Sequence, residues 1–163
     1  MKKMKKEKTN VMRILDQYKI NYNSYDYSNS SAISGMEVAS ELGEDPNRVF
    51  KTLVTIAKSK EYYVFLVPVN SELDLKKAAV AVNEKNIEMI KSKDLLPLTG
   101  YIHGGCSPIG TKKKFKTVID ASASNYETII FSGGKIGYQV EVRLTDLKKV
   151  IDFSLKDIKI NNI

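Results

Sequence analysis

The stretch from Val49 to Val69 constrains this chain more than any other. Val49 to Ala57 (VFKTLVTIA) and Tyr62 to Val69 (YYVFLVPV) are rich in β-branched and aromatic residues, and Lys58-Ser59-Lys60 separates them. Two such runs joined by a short polar link predict an antiparallel hairpin. A hairpin needs a partner layer for its apolar face, and the flanking sequence supplies helices. Val11, Ile14, Leu15 and Tyr18 follow the i, i+3, i+4, i+7 stripe, with Thr9 or Asn10 as cap. Ser34-Gly35-Met36-Glu37 is a capping box before Val38, Ala39 and Leu42, and Gly43 stops that helix. Asp74 caps an alanine-rich helix over Lys76 to Val82.

Weaker signals fill the remainder. Asn21 to Tyr27 reads as an extended segment, Asp45-Pro46 as the start of a helical turn, and Ile87 to Ile90 as a short element. Ser92 to Leu96 reads as a helix closed off by Pro97. Phe115 to Ile119, Thr128 to Ser132 and Gly137 to Leu144 read as strands, and Asp146 to Ile151 as a short helix begun by Thr145 or Asp146. With neither an internal repeat nor a linker, the expectation is a basic tail over residues 1–8 and one α+β domain over 9–163, with a mixed, mainly antiparallel sheet.

Composition narrows the function. A chain of 163 residues with 42% hydrophobic and 28% charged residues has the make-up of one folded core. One cysteine, Cys106, excludes an internal disulfide, and with the single His103 it leaves too few ligands for a zinc site of Cys and His, so no metal is expected. The basic head lacks the apolar core of a secretory signal and no later run approaches a membrane span, so the expectation is a cytoplasmic protein. Lys plus Arg total 26 against 19 acidic residues, a formal +7 that favours an anionic partner. The arginines are Arg13, Arg48 and Arg143 alone, so the positive field is nearly all lysine and suits phosphate contact better than the reading of base edges.

Two places break the pattern of an ordinary core. Lys51 stands inside an apolar strand, where it either guards a sheet edge or grips an anion or a carbonyl oxygen at a pocket wall; Thr52 beside it points to the opposite face. Seven of the nine glycines lie between Gly100 and Gly137, and TGYIHGGCSPIGTKKK combines four of them with Pro108. Missing side chains there leave amides free to face an anion or a developing oxyanion, although the spacing matches neither a phosphate loop nor a dinucleotide fingerprint. Lys112, Lys113, Lys114 and Lys116 follow directly, either as a solvated face or as a phosphate contact. Cys106 and His103 lack an orienting third group, so packing is the default for the thiol, and a cap is the default for Asp146.

In their order along the chain, VFKTLV, VPVNSELDLKKAA, TGYIHGGCSPIGTKK, TVID, ASA, IIFSGGKIG and LTDL resemble the YbaK/EbsC family of aminoacyl-tRNA deacylases, across residues 9–152. These are free-standing relatives of the editing domain of bacterial prolyl-tRNA synthetases. The resemblance implies a single α+β domain with a curved mixed sheet flanked by helices. The implied activity removes a misattached amino acid from tRNA, most typically cysteine from tRNA(Pro), without metal or organic cofactor. The partners it implies are the acceptor end of aminoacyl-tRNA and, transiently, prolyl-tRNA synthetase. Lys51 matches the residue most tied to activity, Gly104 and Gly105 the loop near the ester, and Tyr27, Thr52, Ser132 and Asp146 other pocket positions. In the cysteine-specific branch the substrate thiol attacks its own ester, which leaves Cys106 structural. Ile136 stands where many relatives carry arginine, and Lys112, Lys113 and Lys114 are the cations that can replace it against tRNA. The alternatives are a deacylase for alanine, serine or a non-protein amino acid, and a non-catalytic tRNA- or synthetase-binding module.

Overall fold

The computed structural model describes residues 8–161, so all of the basic head except Lys8 lies outside the described residues; Lys8 pairs with Asp16 (2.6 Å). The first helix, α1 (Asn10–Gln17), begins where the Thr9 hydroxyl accepts from the Met12 amide (3.2 Å), and it buries Val11, Met12 and Leu15. Strand β1 (Tyr22–Asp26) follows. The capping box starts α2 (Gly35–Leu42), and Gly43 ends it in the left-handed region (φ 66°). The predicted hairpin is β2 (Phe50–Ala57) and β3 (Tyr62–Pro68), paired antiparallel from Phe50↔Pro68 to Ile56↔Tyr62. Helix α3 (Leu75–Ala81) starts on the Asp74 carboxylate, which accepts from the amides of Lys76 and Lys77. Then come β4 (Ile87–Met89), α4 (Ser92–Thr99), β5 (Lys116–Asp120), β6 (Thr128–Ser132), β7 (Tyr138–Arg143), α5 (Leu144–Leu147) and β8 (Phe153–Lys156).

Three local expectations are corrected. Asp45-Pro46 opens only a turn, closed by the Arg48 amide on the Asp45 carbonyl (3.0 Å). Pro97 does not close α4: it lies inside the helix, which ends at Gly100 in the left-handed region (φ 85°). The backbone bond that proline removes would have ended on the carbonyl of Lys93, an exposed residue whose carbonyl water can satisfy. Helix α5 starts at Leu144 without a side-chain cap, so Asp146 sits in its first turn instead of beginning it. A 3-10 helix (Ala121–Asn125) and β8 carried too little local pattern to be anticipated.

The strands form a three-stranded antiparallel sheet, β1-β7-β6, and a five-stranded mixed sheet, β4-β2-β3-β5-β8. Within the second, β3/β5 and β5/β8 are parallel, and the other ladders are antiparallel. A single parallel bridge, Val49↔Ile130, joins the sheets, reinforced by the Ile130 amide on the Arg48 carbonyl (3.1 Å). The single α+β domain with a mixed, mainly antiparallel sheet flanked by helices is present, its strands divided between two sheets that meet at β2 and β6. One face of both carries the main core, where Phe50, Val54, Leu66, Phe131 and Val140 pack with Val11 and Leu15 of α1 and Leu95 of α4. Each such side chain contributes about 1.5–3 kcal/mol by leaving water. Two smaller clusters cover the reverse face. Ala39 of α2 packs with Val49, Val69 and Ile130, and Ala78 and Ala79 of α3 pack with Phe65 and Val67. Lys51 lies on this reverse face, between the two clusters.

Candidate active site

Alternation along β2 gives Val49, Lys51 and Leu53 one face and Phe50, Thr52 and Val54 the other. Lys51 is no guard of a free edge. One side of β2 is fully paired with β3, while its other side meets β6 at Val49 and β4 from Thr55 to Ala57. Between these two partners the sheets part, and Lys51 lies in the notch. Its side chain is 28% exposed and its Nζ is 3.3 Å from Glu72 Oε1, a carboxylate that is itself 77% exposed.

The bridge fixes what stands beside it. Strands β2 and β6 run parallel through Val49↔Ile130, so two residues further along each strand, on the same face, come Lys51 and Ser132. Ser132 is paired with Gln139 of β7, and Gln139 with Tyr25 of β1. Tyr27, buried, extends the β1 ladder by donating its amide to the Gly137 carbonyl (2.7 Å). Gly137 is a glycine of necessity: its φ is 103° and a Cβ there would lie 3.0 Å from Cα and Cβ of Ser28. The Ser132 hydroxyl accepts from the Gly134 amide (3.1 Å), which shapes the turn between β6 and β7.

The glycine-rich loop packs against that turn. A Cβ on Gly105 would stand 3.1 Å from the Ile136 amide nitrogen, so the loop approaches the turn backbone to backbone. The Gly105 amide donates to the Ile102 carbonyl (3.0 Å) and is engaged within the loop. The Gly104 amide (φ 88°) makes no hydrogen bond among the described residues. His103 is exposed, whereas Cys106 is buried and burial pushes its thiol up to about 12, so the pair forms no nucleophilic dyad.

Five other expected residues stand elsewhere. Thr52 faces the main core, where its hydroxyl is buried without a hydrogen-bond partner among the described residues. Asp146 lies beyond the far end of β7 from Gln139 and pairs with Lys149 (3.0 Å), so it does not join the Lys51 face. Lys112, Lys113 and Lys114 are exposed on the segment entering β5, and Lys113 and Lys114 border a cleft of about 380 Å³ together with Tyr18, Phe115 and Ile151. Since Lys116 pairs with Tyr63 while Lys51 pairs with Val67, the cluster begins about 13 Å along β3 from Lys51.

Next to Ser132 the structure adds a polar network that the sequence reading missed. With the Gln139 amide turned so that its nitrogen and not its oxygen faces Glu44, that nitrogen donates to Oε2 at 2.8 Å and to Oε1 at 3.1 Å. Burial pushes the Glu44 carboxyl up to about 7, against the pull of Gln139 and Arg48. Glu141 also faces this cluster. Burial opposes its ionisation, but hydrogen bonds from Thr128 and Tyr25 and the Arg48 charge (3.5 Å) outweigh that and hold its carboxyl below the usual range. The bond to Glu141, with burial, raises the Tyr25 phenol to about 12. In YQVEVR the alternation of Gln139 and Glu141 with Val140 and Val142 was legible, but it reads equally as a solvated strand face. Among the described residues, no three of His, Cys, Asp and Glu are grouped to hold a metal ion, and no helix is long and apolar enough to cross a membrane.

Lys51 and Ser132 thus share one face of β2 and β6, and the loop that carries Gly104 packs against the turn that follows Ser132. Comparison with known proteins names the class: the chain belongs to the aminoacyl-tRNA editing domain family, whose model matches residues 32–150. It is 46% identical over 142 residues to the "Putative Cys-tRNA(Pro)/Cys-tRNA(Cys) deacylase EbsC" of Enterococcus faecalis (strain ATCC 700802 / V583), covering 86% of this chain and 87% of that protein. Its fold is that of the crystal structure of "a putative trans-editing enzyme for prolyl tRNA synthetase" (TM-score 0.79, 20% identity, 95% of this chain and 100% of the other). The hypothetical protein APE2540 shares the fold as well (TM-score 0.81, 16% identity, 92% and 99%).

Proposed function

We propose that the chain is a trans-acting deacylase that removes misattached cysteine from tRNA(Pro). The observation that carries this reading is the 46% identity to EbsC across most of both chains. The site chemistry is compatible with it. In the proposed reaction the cysteine thiol sulfur bonds to the ester carbonyl carbon, the bond from that carbon to the ribose oxygen breaks, and the thiol proton ends on the ribose hydroxyl. The product leaves as a cyclic thiolactone, and no protein nucleophile takes part, in keeping with a Cys106 thiol raised to about 12. The protein's task is to hold thiol and ester together, an effect worth about 7 kcal/mol or more, and to stabilise the oxyanion.

In this reading Lys51 fixes the terminal adenosine or its phosphate, the Gly104 amide faces the developing oxyanion, and Tyr27 and Ser132 line the acyl pocket. Lys112, Lys113 and Lys114 hold phosphates of the acceptor stem. With so few arginines to read bases, the choice of tRNA(Pro) falls to a transient complex with prolyl-tRNA synthetase, at the cytoplasmic site of aminoacylation. The test is deacylation of cysteinyl-tRNA(Pro) beside alanyl- and seryl-tRNA(Pro). Preferential loss of the cysteinyl ester, with thiolactone as product, is expected. Cleavage of another ester moves the specificity, and cleavage of none refutes the enzyme.

A further inference from the structure

Gln139 stands at the site without a task in the reaction above. It is 5% exposed, opposite Ser132 on β7 and on the face that carries Lys51. Its amide has one orientation that fits: nitrogen toward both oxygens of Glu44, because the reverse would set an amide oxygen against two carboxylate oxygens. With the nitrogen engaged on Glu44, the carbonyl oxygen is the acceptor that remains on the amide. Glu44 is itself fixed, its backbone amide donating to the Ala39 carbonyl at the end of α2 (2.9 Å). The charged groups facing it are Arg48, which precedes β2, and Glu141 on β7; Arg48 is paired with Glu141 (3.5 Å). Two carboxylates against one guanidinium leave this side of Ser132 negative when Glu44 is ionised, while Lys51 makes the β2 side positive.

An aminoacyl ester of a nucleotide has the matching polarity, with an ammonium on the amino acid and phosphate beyond the ribose. We infer that Glu44 and Gln139 form the subsite for the α-ammonium group of the substrate. The Gln139 carbonyl oxygen accepts an N–H from the ammonium. Glu44 acts as a positioning residue that fixes the Gln139 amide and supplies the opposing charge. This inference rests on the deacylase reading. It adds a pH dependence, since burial raises the Glu44 carboxyl to about 7 and its charge is lost as the pH falls through neutrality.

The experiment compares cysteinyl-tRNA(Pro) with its N-acetyl form, which keeps thiol and ester but has no ammonium. Rates are corrected for spontaneous hydrolysis and measured across neutral pH for the wild type, Glu44→Gln and Gln139→Leu. The wild type is expected to prefer the free amine by about tenfold or more in kcat/KM, the range of one charge-assisted hydrogen bond. Gln139→Leu and Glu44→Gln are expected to lower the rate on the free-amine ester far more than on the acetylated one, bringing that preference close to unity. Glu44→Gln, which keeps an acceptor for the Gln139 amide, also removes the acidic limb from the pH profile of the preference and leaves the limb set by the substrate ammonium. Equal wild-type rates on both esters overturn the subsite and leave the deacylase reading standing. Parallel loss on both esters in the variants overturns it too, since that is the signature of a structural role. Activity on neither ester in the wild type removes the deacylase reading itself.

Discussion

Replacing Lys51 by methionine separates charge from packing at the notch. Methionine keeps an unbranched apolar stem, so contacts beside Val49 and Leu53 survive while the ammonium is lost. The native partner, Glu72, is 77% exposed, and a pair so solvated contributes about 0–1 kcal/mol. Lys51→Met is therefore expected to lower Tm by no more than about 2–4 °C. A charge-assisted hydrogen bond to the substrate in the transition state is worth about 1.5–3 kcal/mol, so kcat/KM should fall by about 10- to 150-fold. Glu72→Gln is the complement. It frees the lysine from a competing carboxylate and, with about 1 kcal/mol at most to return, raises kcat/KM by up to about fivefold. Single-turnover deacylation of cysteinyl-tRNA(Pro) and thermal melting followed by circular dichroism measure both. A fall of less than about twofold in Lys51→Met with native melting refutes the reasoning. So does a Glu72→Gln variant as impaired as Lys51→Met.

Cys106→Ala should keep kcat/KM within about twofold of wild type, because a buried neutral thiol is no nucleophile; abolished turnover in a folded variant would reassign it. Gly137→Ala should destabilise by about 1–3 kcal/mol, seen as a lower denaturation midpoint, because its φ of 103° strains any side chain and Ser28 stands 3.0 Å from where the Cβ would lie; an unchanged midpoint would show that the two segments separate freely. Charge reversal of Lys112, Lys113 and Lys114 together should raise KM more than it lowers kcat and flatten the salt dependence, and an unchanged salt slope would count against a tRNA contact there.

The sequence by itself determined the elements whose causes are local. The Ser34–Glu37 box, the Asp74 cap and the hairpin at 58–60 each need only a few neighbouring residues, and each formed where the pattern put it. It also singled out Lys51, because a cation among β-branched residues is anomalous in any fold, and the glycine loop, because glycines so concentrated shape a backbone. Tertiary structure decided the rest. Whether Lys51 guards an edge or lines a notch depends on β6 and β4 leaving β2 at different points, a fact of pairing across more than seventy residues of chain in the case of Val49 and Ile130. The Gly105 amide is engaged in a turn bond that composition does not reveal. Glu44 and Gln139 were silent in sequence because neither residue is unusual where it stands. Their meaning comes from burial and from each other, and a hydrogen bond between residues 44 and 139 exists only once two sheets have folded against one helix.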